Sequence, residues 1–211
     1  MNTIKNITVV GAGGIGRSLA LYLNDLSYRD IPYLKNIVFH WYDDDDISEE
    51  NLWTQGFKYE AYVRCDTKVV ALKDEMKNLK IVANEKKFNV KENFFIDGNM
   101  PDAIMIACDN LETRKEIYEY CFTMKAYFID MRVNGKQLFV ADSNCNRKEL
   151  EESLIPSATD NAPTSCLYKW EKENKILRAT PMVAASAGVS FLLDHLIEGD
   201  KLESEILTIS L

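Results

Sequence analysis

The sequence predicts an α/β fold, doubly wound around a mostly parallel sheet with an antiparallel C-terminal extension. Three observations predict it. An apolar run, Ile7 to Val10, passes directly into four close glycines, Gly11, Gly13, Gly14 and Gly16, and a helical pattern follows at once. Two more apolar runs, 36–42 and 102–108, each end in an acid, Asp43 and Asp109, before helical patterns resume. Strands buried on both faces of a parallel sheet read this way. Finally, Asn134-Gly135 lies between two short apolar runs, and Asn-Gly is a strong hairpin signal that requires antiparallel pairing. The resulting arrangement is Rossmann-like.

Taken in order, residues 5–10 read as the first strand and 15–27 as the first helix. Residues 28–33 hold Pro32 and polar side chains and form a connection. The second strand occupies 36–42. Residues 47–56 are too polar for a long helix and read as a turn with a short one. Over 66–79, Val69, Val70, Leu72 and Met76 recur at helical spacing, with Asp66 as the N-cap. Lys68 then falls in the first turn, near the positive end of the helix, where a lysine is locally unfavourable.

Residues 79–83 and 87–90 read as short strands, and 102–108 as a buried one. Residues 111–125 form an amphipathic helix with Arg114 in its first turn, and 126–132 and 136–141 are the two arms of the hairpin. A long excursion spans 143–165, with a short acidic helix at 148–153. Loops of this length in compact domains often carry function. Residues 180–197 form an apolar helix whose small residues allow close packing, and 202–211 is a final edge strand. The 211 residues are expected to form one domain.

With 46% hydrophobic residues the chain can build a real core. Its net charge of −8 argues against nucleic acid or an anionic membrane as a partner, because both demand clustered cations. The first strand begins almost at the N-terminus, so no leader is expected, and no apolar run reads as a membrane span. Five cysteines, an odd number without a Cys-x-x-Cys pair, form neither a disulfide framework nor a structural zinc site. A reducing cytoplasm is the expected location.

The glycine loop carries the first chemical inference. Glycines between a strand and a helix let the backbone approach a phosphate chain, and the helix start offers N–H groups and a positive dipole end. Asp43 comes directly off a strand on the ligand side of the sheet and suits the hydroxyls of a ribose. Asp44 and Asp46 read as solvated loop acids. Asp109 ends another parallel strand at the crevice where such sheets bind ligands, while also suiting a helix cap. Both histidines, His40 and His195, lie in apolar segments and read as packed. At this point NAD, FAD and ATP all remain open.

The full constellation is Gly11-x-Gly13-Gly14-x-Gly16, Asp43-x-Asp45-x-Ile47-x-x-x-Asn51-Leu52-x-x-Gln55, Lys68, and Cys108-Asp109-Asn110-x-x-x-Arg114. It resembles the ThiF/MoeB/HesA family, the bacterial relatives of ubiquitin-activating enzymes, over nearly the whole chain. The resemblance implies ATP-dependent adenylation of a carboxylate, usually the C-terminal glycine of a small ubiquitin-like or sulfur-carrier protein, or of a peptide. It implies that the glycine loop faces the phosphates and Asp43 the ribose. Asn51, Gln55 and Lys68 would contact phosphates, Asp109 would hold Mg²⁺ beside Asn110, and the chain would be a homodimer.

The chain departs from the family pattern in one charged position. The block normally reads Asn-Leu-x-Arg-Gln, and Thr54 stands where that arginine belongs. Arg17 and Arg64 are the substitutes to consider. Cys166 follows the excursion, where some relatives use a cysteine to take the activated carboxylate as a thioester, whereas Cys108 reads as structural. Two alternatives to an active adenylating enzyme remain. One is a catalytically weak subunit that serves an active partner as a binding module. The other is an NAD-dependent oxidoreductase, which gives Lys68, Asp109 and the 51–55 block no role.

Overall fold

The computed structural model describes residues 5–29, 34, 36–153, 179–198 and 206–210. In chain order the elements are β1 (Lys5–Val10), α1 (Gly14–Tyr28), β2 (Ile37–Tyr42), α2 (Glu49–Thr54), α3 (Tyr59–Val63), α4 (Lys68–Glu75), β3 (Lys80–Asn84) and α5 (Val90–Asn93). Then come β4 (Ala103–Ile106), α6 (Leu111–Met124), β5 (Phe128–Asn134), β6 (Gln137–Asp142), α7 (Arg147–Glu152), α8 (Thr180–Glu198) and β7 (Ile206–Ser210).

The strands form one seven-stranded sheet in the order β3-β2-β1-β4-β5-β6-β7. Strands β1 to β5 pair in parallel, and β6 and β7 pair antiparallel on one side. The α/β, doubly wound, mostly parallel arrangement with an antiparallel C-terminal part is as expected. The order reverses between β1 and β4, so a crevice opens outside their carboxyl ends. The glycine loop follows β1 and Asp109 follows β4.

Side chains alternate along the strands and divide the core into two layers. Ile7, Val9, Phe39, Trp41 and Met105 face one layer, with Leu19 and Leu23 of α1, Val69 and Leu72 of α4, and Ala184 and Val189 of α8. Val10, Tyr42, Ile104, Ile106 and Phe128 face the other, with Val90 of α5, Ile117 and Tyr118 of α6 and Leu150 of α7. A sheet covered on both faces explains why its central strands lack a polar alternation.

Several sequence expectations need correction. Residues 87–90 are not a strand. Phe88 and Val90 are both buried in the second layer, which imitates a strand's alternation, but Asn89 caps α5 by accepting from Lys91 N at 2.9 Å. Helix α4 covers Lys68–Glu75 rather than 66–79, and its N-cap is Thr67, not Asp66. Asp66 instead binds Arg64, and its carbonyl accepts from Ile47 N. The hairpin's two central residues are Gly135 and Lys136, because Asn134 still pairs with Gln137. Gly135 alone takes the positive φ, +57°, so glycine opens the turn rather than closing it.

Residues Thr180–Ile197 are long and apolar enough, by length and composition, to span a membrane, contrary to the sequence reading. In this fold Ala184, Ala185, Val189 and Leu192 of that helix pack into the core. Gly188 seats against Met131, whose Sδ would overlap any Cβ there.

Candidate functional site

The glycine loop is shaped by two close approaches. Gly11 has φ +103°, and a Cβ there would lie 2.7 Å from Cys108 N and 2.8 Å from the Ala107 carbonyl. Gly16 lies so close beneath the Gly11 carbonyl that a Cβ would overlap it. Trp41 Nε1 donates to that same carbonyl at 2.9 Å and holds the loop against β2. Sequence reasoning passed over Trp41, because it sits within an apolar run. Gly13 and Gly14 are different. A Cβ at Gly13 would only reach van der Waals distance of Gln55 Nε2, 3.9 Å, and one at Gly14 would lie 3.6 Å from Pro181. Protein packing does not demand glycine at either position, which suits a cradle left open for a ligand.

Gly13 is the N-cap of α1, which begins without a side-chain cap and without an acid in its first turn. The positive end of this fifteen-residue helix is thus not compensated by any side chain of the helix itself. This is the local chemistry of an anion site.

Asp43, at the end of β2, binds the loop itself. Its Oδ2 accepts from Ala12 N at 2.6 Å and its Oδ1 from Asp45 N at 2.9 Å. Each carboxylate oxygen keeps a second lone pair for a hydroxyl. Burial pushes the Asp43 pKa upward, opposed by the Ala12 N–H and by the nearby Lys68 charge. Lys68, the first residue of α4, is buried, with its Nζ 2.6 Å from Asp45 Oδ2 and its backbone N 2.9 Å from Asp45 O. The structure therefore brings Asp43 and Lys68 together through Asp45, a residue to which sequence reasoning gave no separate role. The Asp43-x-Asp45 spacing was its only signal.

Asn51 and Gln55 lie on and just after α2. Ser48 N donates to Asn51 Oδ1 at 3.0 Å, which ties the Asn51 side chain to the start of its own helix. Gln55 ends the helix with Nε2 facing Gly13, and its Oε1 is buried without a hydrogen-bond partner among the described residues. Thr54 is buried and donates its hydroxyl to Glu50 O at 2.8 Å.

Neither substitute arginine takes the missing position. Arg17 turns into the protein, donating from Nη2 to Gly56 O at 2.6 Å and Glu75 Oε2 at 2.9 Å, with its guanidinium over the Phe57 ring. Arg64 is exposed and paired with Asp66 and Asp74.

On the other side of the crevice, Asp109 and Asn110 are exposed. Asn110 caps α6 by accepting from Thr113 N at 2.9 Å, so capping falls to Asn110 and leaves the Asp109 carboxylate outward. Arg114 is buried beneath them, bound to Asp130 and to the carbonyls of Cys108 and Met131. It braces the β4–α6 turn from beneath. The Cys108 thiol is pushed upward by burial, which suits a structural residue. His40 bonds Asn6 at 3.1 Å and His195 stacks on the Tyr127 ring, so both are packed. Cys166 and residues 154–165 of the expected excursion lie outside the described residues.

The sequence model of the ThiF family matches residues 3–210. This chain belongs to the ThiF family. No curated protein sequence matches it. Among solved structures, E. coli MccB with succinimide superposes at a TM-score of 0.65 with 15% identity, covering 98% of this chain and 61% of that one. E. coli MccB with ATP gives 0.64 and 15%, covering 98% and 63%. PaaA gives 0.63 and 15%, covering 98% and 61%. The ThiF-family chain thus spans about three-fifths of these structures' length, and at this identity the likeness is one of fold.

Proposed function

We propose that this chain adenylates a carboxylate of a peptide or small protein at the expense of ATP. The observation that carries the reading is the meeting of Asp43 and Lys68, from separate segments, beside a helix start that has no acid in its own first turn, at the sheet's switch point. Membership of the ThiF family supports it, as do the MccB structures, which include one with ATP and one with AMPCPP and MccA. The substrate is the C-terminus of a peptide or of a ubiquitin-like or sulfur-carrier protein. The chain works as a cytoplasmic homodimer and a single adenylation domain, without nucleic acid or membrane as partner.

In this reading the substrate carboxylate attacks the α-phosphorus and pyrophosphate departs. Two anions must approach, so the site has to supply positive potential before the reaction. The α1 start and Lys68 supply it, while Asp43 positions the ribose. Asn51 and Gln55 contact the phosphates. Asp109, with Asn110 beside it, is the residue that would hold Mg²⁺. No cluster of three or more metal-ligating side chains occurs among the described residues, and a single outward carboxylate fits an ion that takes its remaining ligands from phosphates and water. When bound, that ion neutralises phosphate charge. Cys166 is placed by sequence to accept the activated carboxylate as a thioester.

One observation favours a second reading, a weak or inactive subunit that binds nucleotide for an active partner. Thr54 spends its hydroxyl inside α2, and Arg17 and Arg64 are both engaged elsewhere. ATP–pyrophosphate exchange with a panel of peptide and carrier-protein C-termini separates the two. Exchange with at least one partner supports the enzyme. ATP binding without exchange for any partner leaves the binding module, and no ATP binding removes both.

A further inference from the structure

Helix α1 buries Ile15, Arg17, Leu19, Ala20 and Leu23. Arg17 is the one charged group in that set, with its side chain 6% exposed and its counter-ion Glu75 10% exposed. As a stabilising pair it is poorly made. Arg17 Nε and Nη1 and Glu75 Oε1 are buried without hydrogen-bond partners among the described residues. Buried ion pairs with unmet donors contribute little to stability, and apolar replacements of both partners are often tolerated.

What Arg17 does hold is backbone. Its Nη2 takes the Gly56 carbonyl at 2.6 Å, and its guanidinium lies 4.7 Å from the Phe57 ring centroid. Gly56 has φ +75°, so this is the point where the chain turns after α2. The residue before it is Gln55, whose amide faces Gly13 with its Oε1 unpartnered. The Gln55 head is therefore placed by its backbone rather than by bonds of its own. Arg17 itself is anchored one turn along from the loop, its N donating to Gly13 O at 2.8 Å.

We infer that Arg17 is a positioning residue: it clamps the Gly56–Phe57 turn so that Gln55 stands over the glycine loop, with Glu75 as the internal counter-ion. The inference rests on the nucleotide reading of the site and goes beyond it by assigning the orientation of the 51–55 block to α1. It also explains why an arginine directly after Gly16 does not restore the missing phosphate contact.

The test is the paired variant R17M/E75M, which removes the clamp without leaving a lone buried charge. Thermal melting, amide hydrogen exchange and ATP titration by calorimetry are read together. The expected result is a melting midpoint close to wild type, faster exchange at the Gln55 and Phe57 amides, which both donate to Asn51 O, and an ATP Kd raised about ten-fold, an ordinary loss for one phosphate contact. Q55A alone should weaken ATP to a similar extent, and Q55A added to R17M/E75M should cost nothing more, because both remove the same contact. Unchanged ATP affinity in R17M/E75M overturns the inference, as do losses that multiply. If R17M/E75M does not fold, R17K, which keeps the charge but loses the planar fork, carries the same readouts. If wild type binds no ATP, the nucleotide reading fails, and the clamp is then judged on amide exchange at Gln55 and Phe57 alone.

Discussion

At the scale of single residues, the site is defined by where charge is placed and where it is withheld. Lys68 supplies the ammonium beside Asp43, and its partner Asp45 is mostly exposed. K68M should therefore leave stability within about 1 kcal/mol of wild type while lowering pyrophosphate exchange by about 10²-fold or more. Unfolding in urea and the exchange assay read the two effects separately. T54R restores the charge the family pattern carries. It should raise the exchange rate at least about ten-fold, against a cost of about 1–3 kcal/mol for enlarging a buried position. An exchange rate that does not rise would show that the arginine's absence is not what limits this chain. Gly11→Ala should destabilise by about 2–3 kcal/mol, since its φ is strained for any Cβ. The motif residues were legible from their spacing: the glycines, Asp43 and Asp109 follow strand ends, and Asn51, Gln55 and Lys68 lie on or beside short helices. The partners of Thr54 and Arg17 were not, because a hydroxyl folded back on its own helix leaves no trace in spacing.

At the scale of elements, the central strands were readable because each is an unbroken apolar run buried on both faces. The short elements were harder. Phe88-Asn89-Val90 has a strand's alternation, and only the packing of both apolar side chains beneath the same layer shows it to be the entry to α5. Helix α4 is shorter than its apolar pattern, since Met76 leaves helical geometry. Helix α6 ends on Lys125, which adopts a left-handed φ of +54°. Lys125→Gly relieves that conformation and should stabilise the protein by about 1 kcal/mol, measured as a higher urea midpoint at unchanged slope.

At the scale of the whole molecule, burial makes the titration of Asp43 a property of folding. Its pKa is raised in the folded state, so the folded protein holds this proton more tightly than the unfolded chain does. That contribution is fully present below the ordinary carboxylate value and is lost as pH rises past the raised one. D43N cannot titrate. Its stability relative to wild type should therefore improve as pH rises above the ordinary carboxylate value, even as it loses ATP. Melting midpoints of both proteins across that rise in pH decide it, and a constant difference would contradict the assignment. Thiol reactivity follows burial in the same way. Cys121 is pushed up to about 12 and Cys145 to about 11, whereas Cys65 is exposed. Alkylation of the native protein should label Cys65 well before either of them, as peptide mass analysis would show.

The sequence by itself determined the fold class, the glycine loop, the strand-end acids and the family, because these depend on local patterns: runs of apolar residues, glycine spacing and the residue that ends each strand. The tertiary structure decided which of those residues share a crevice. Strand order 3-2-1-4-5-6-7 brings the ends of β1 and β4 together across 96 residues of chain, from Val10 to Ile106. The structure also decided that Arg17 faces inward. A guanidinium after Gly16 reads equally well as a phosphate ligand or a buried clamp, and only the positions of Gly56, Phe57 and Glu75 around it distinguish the two.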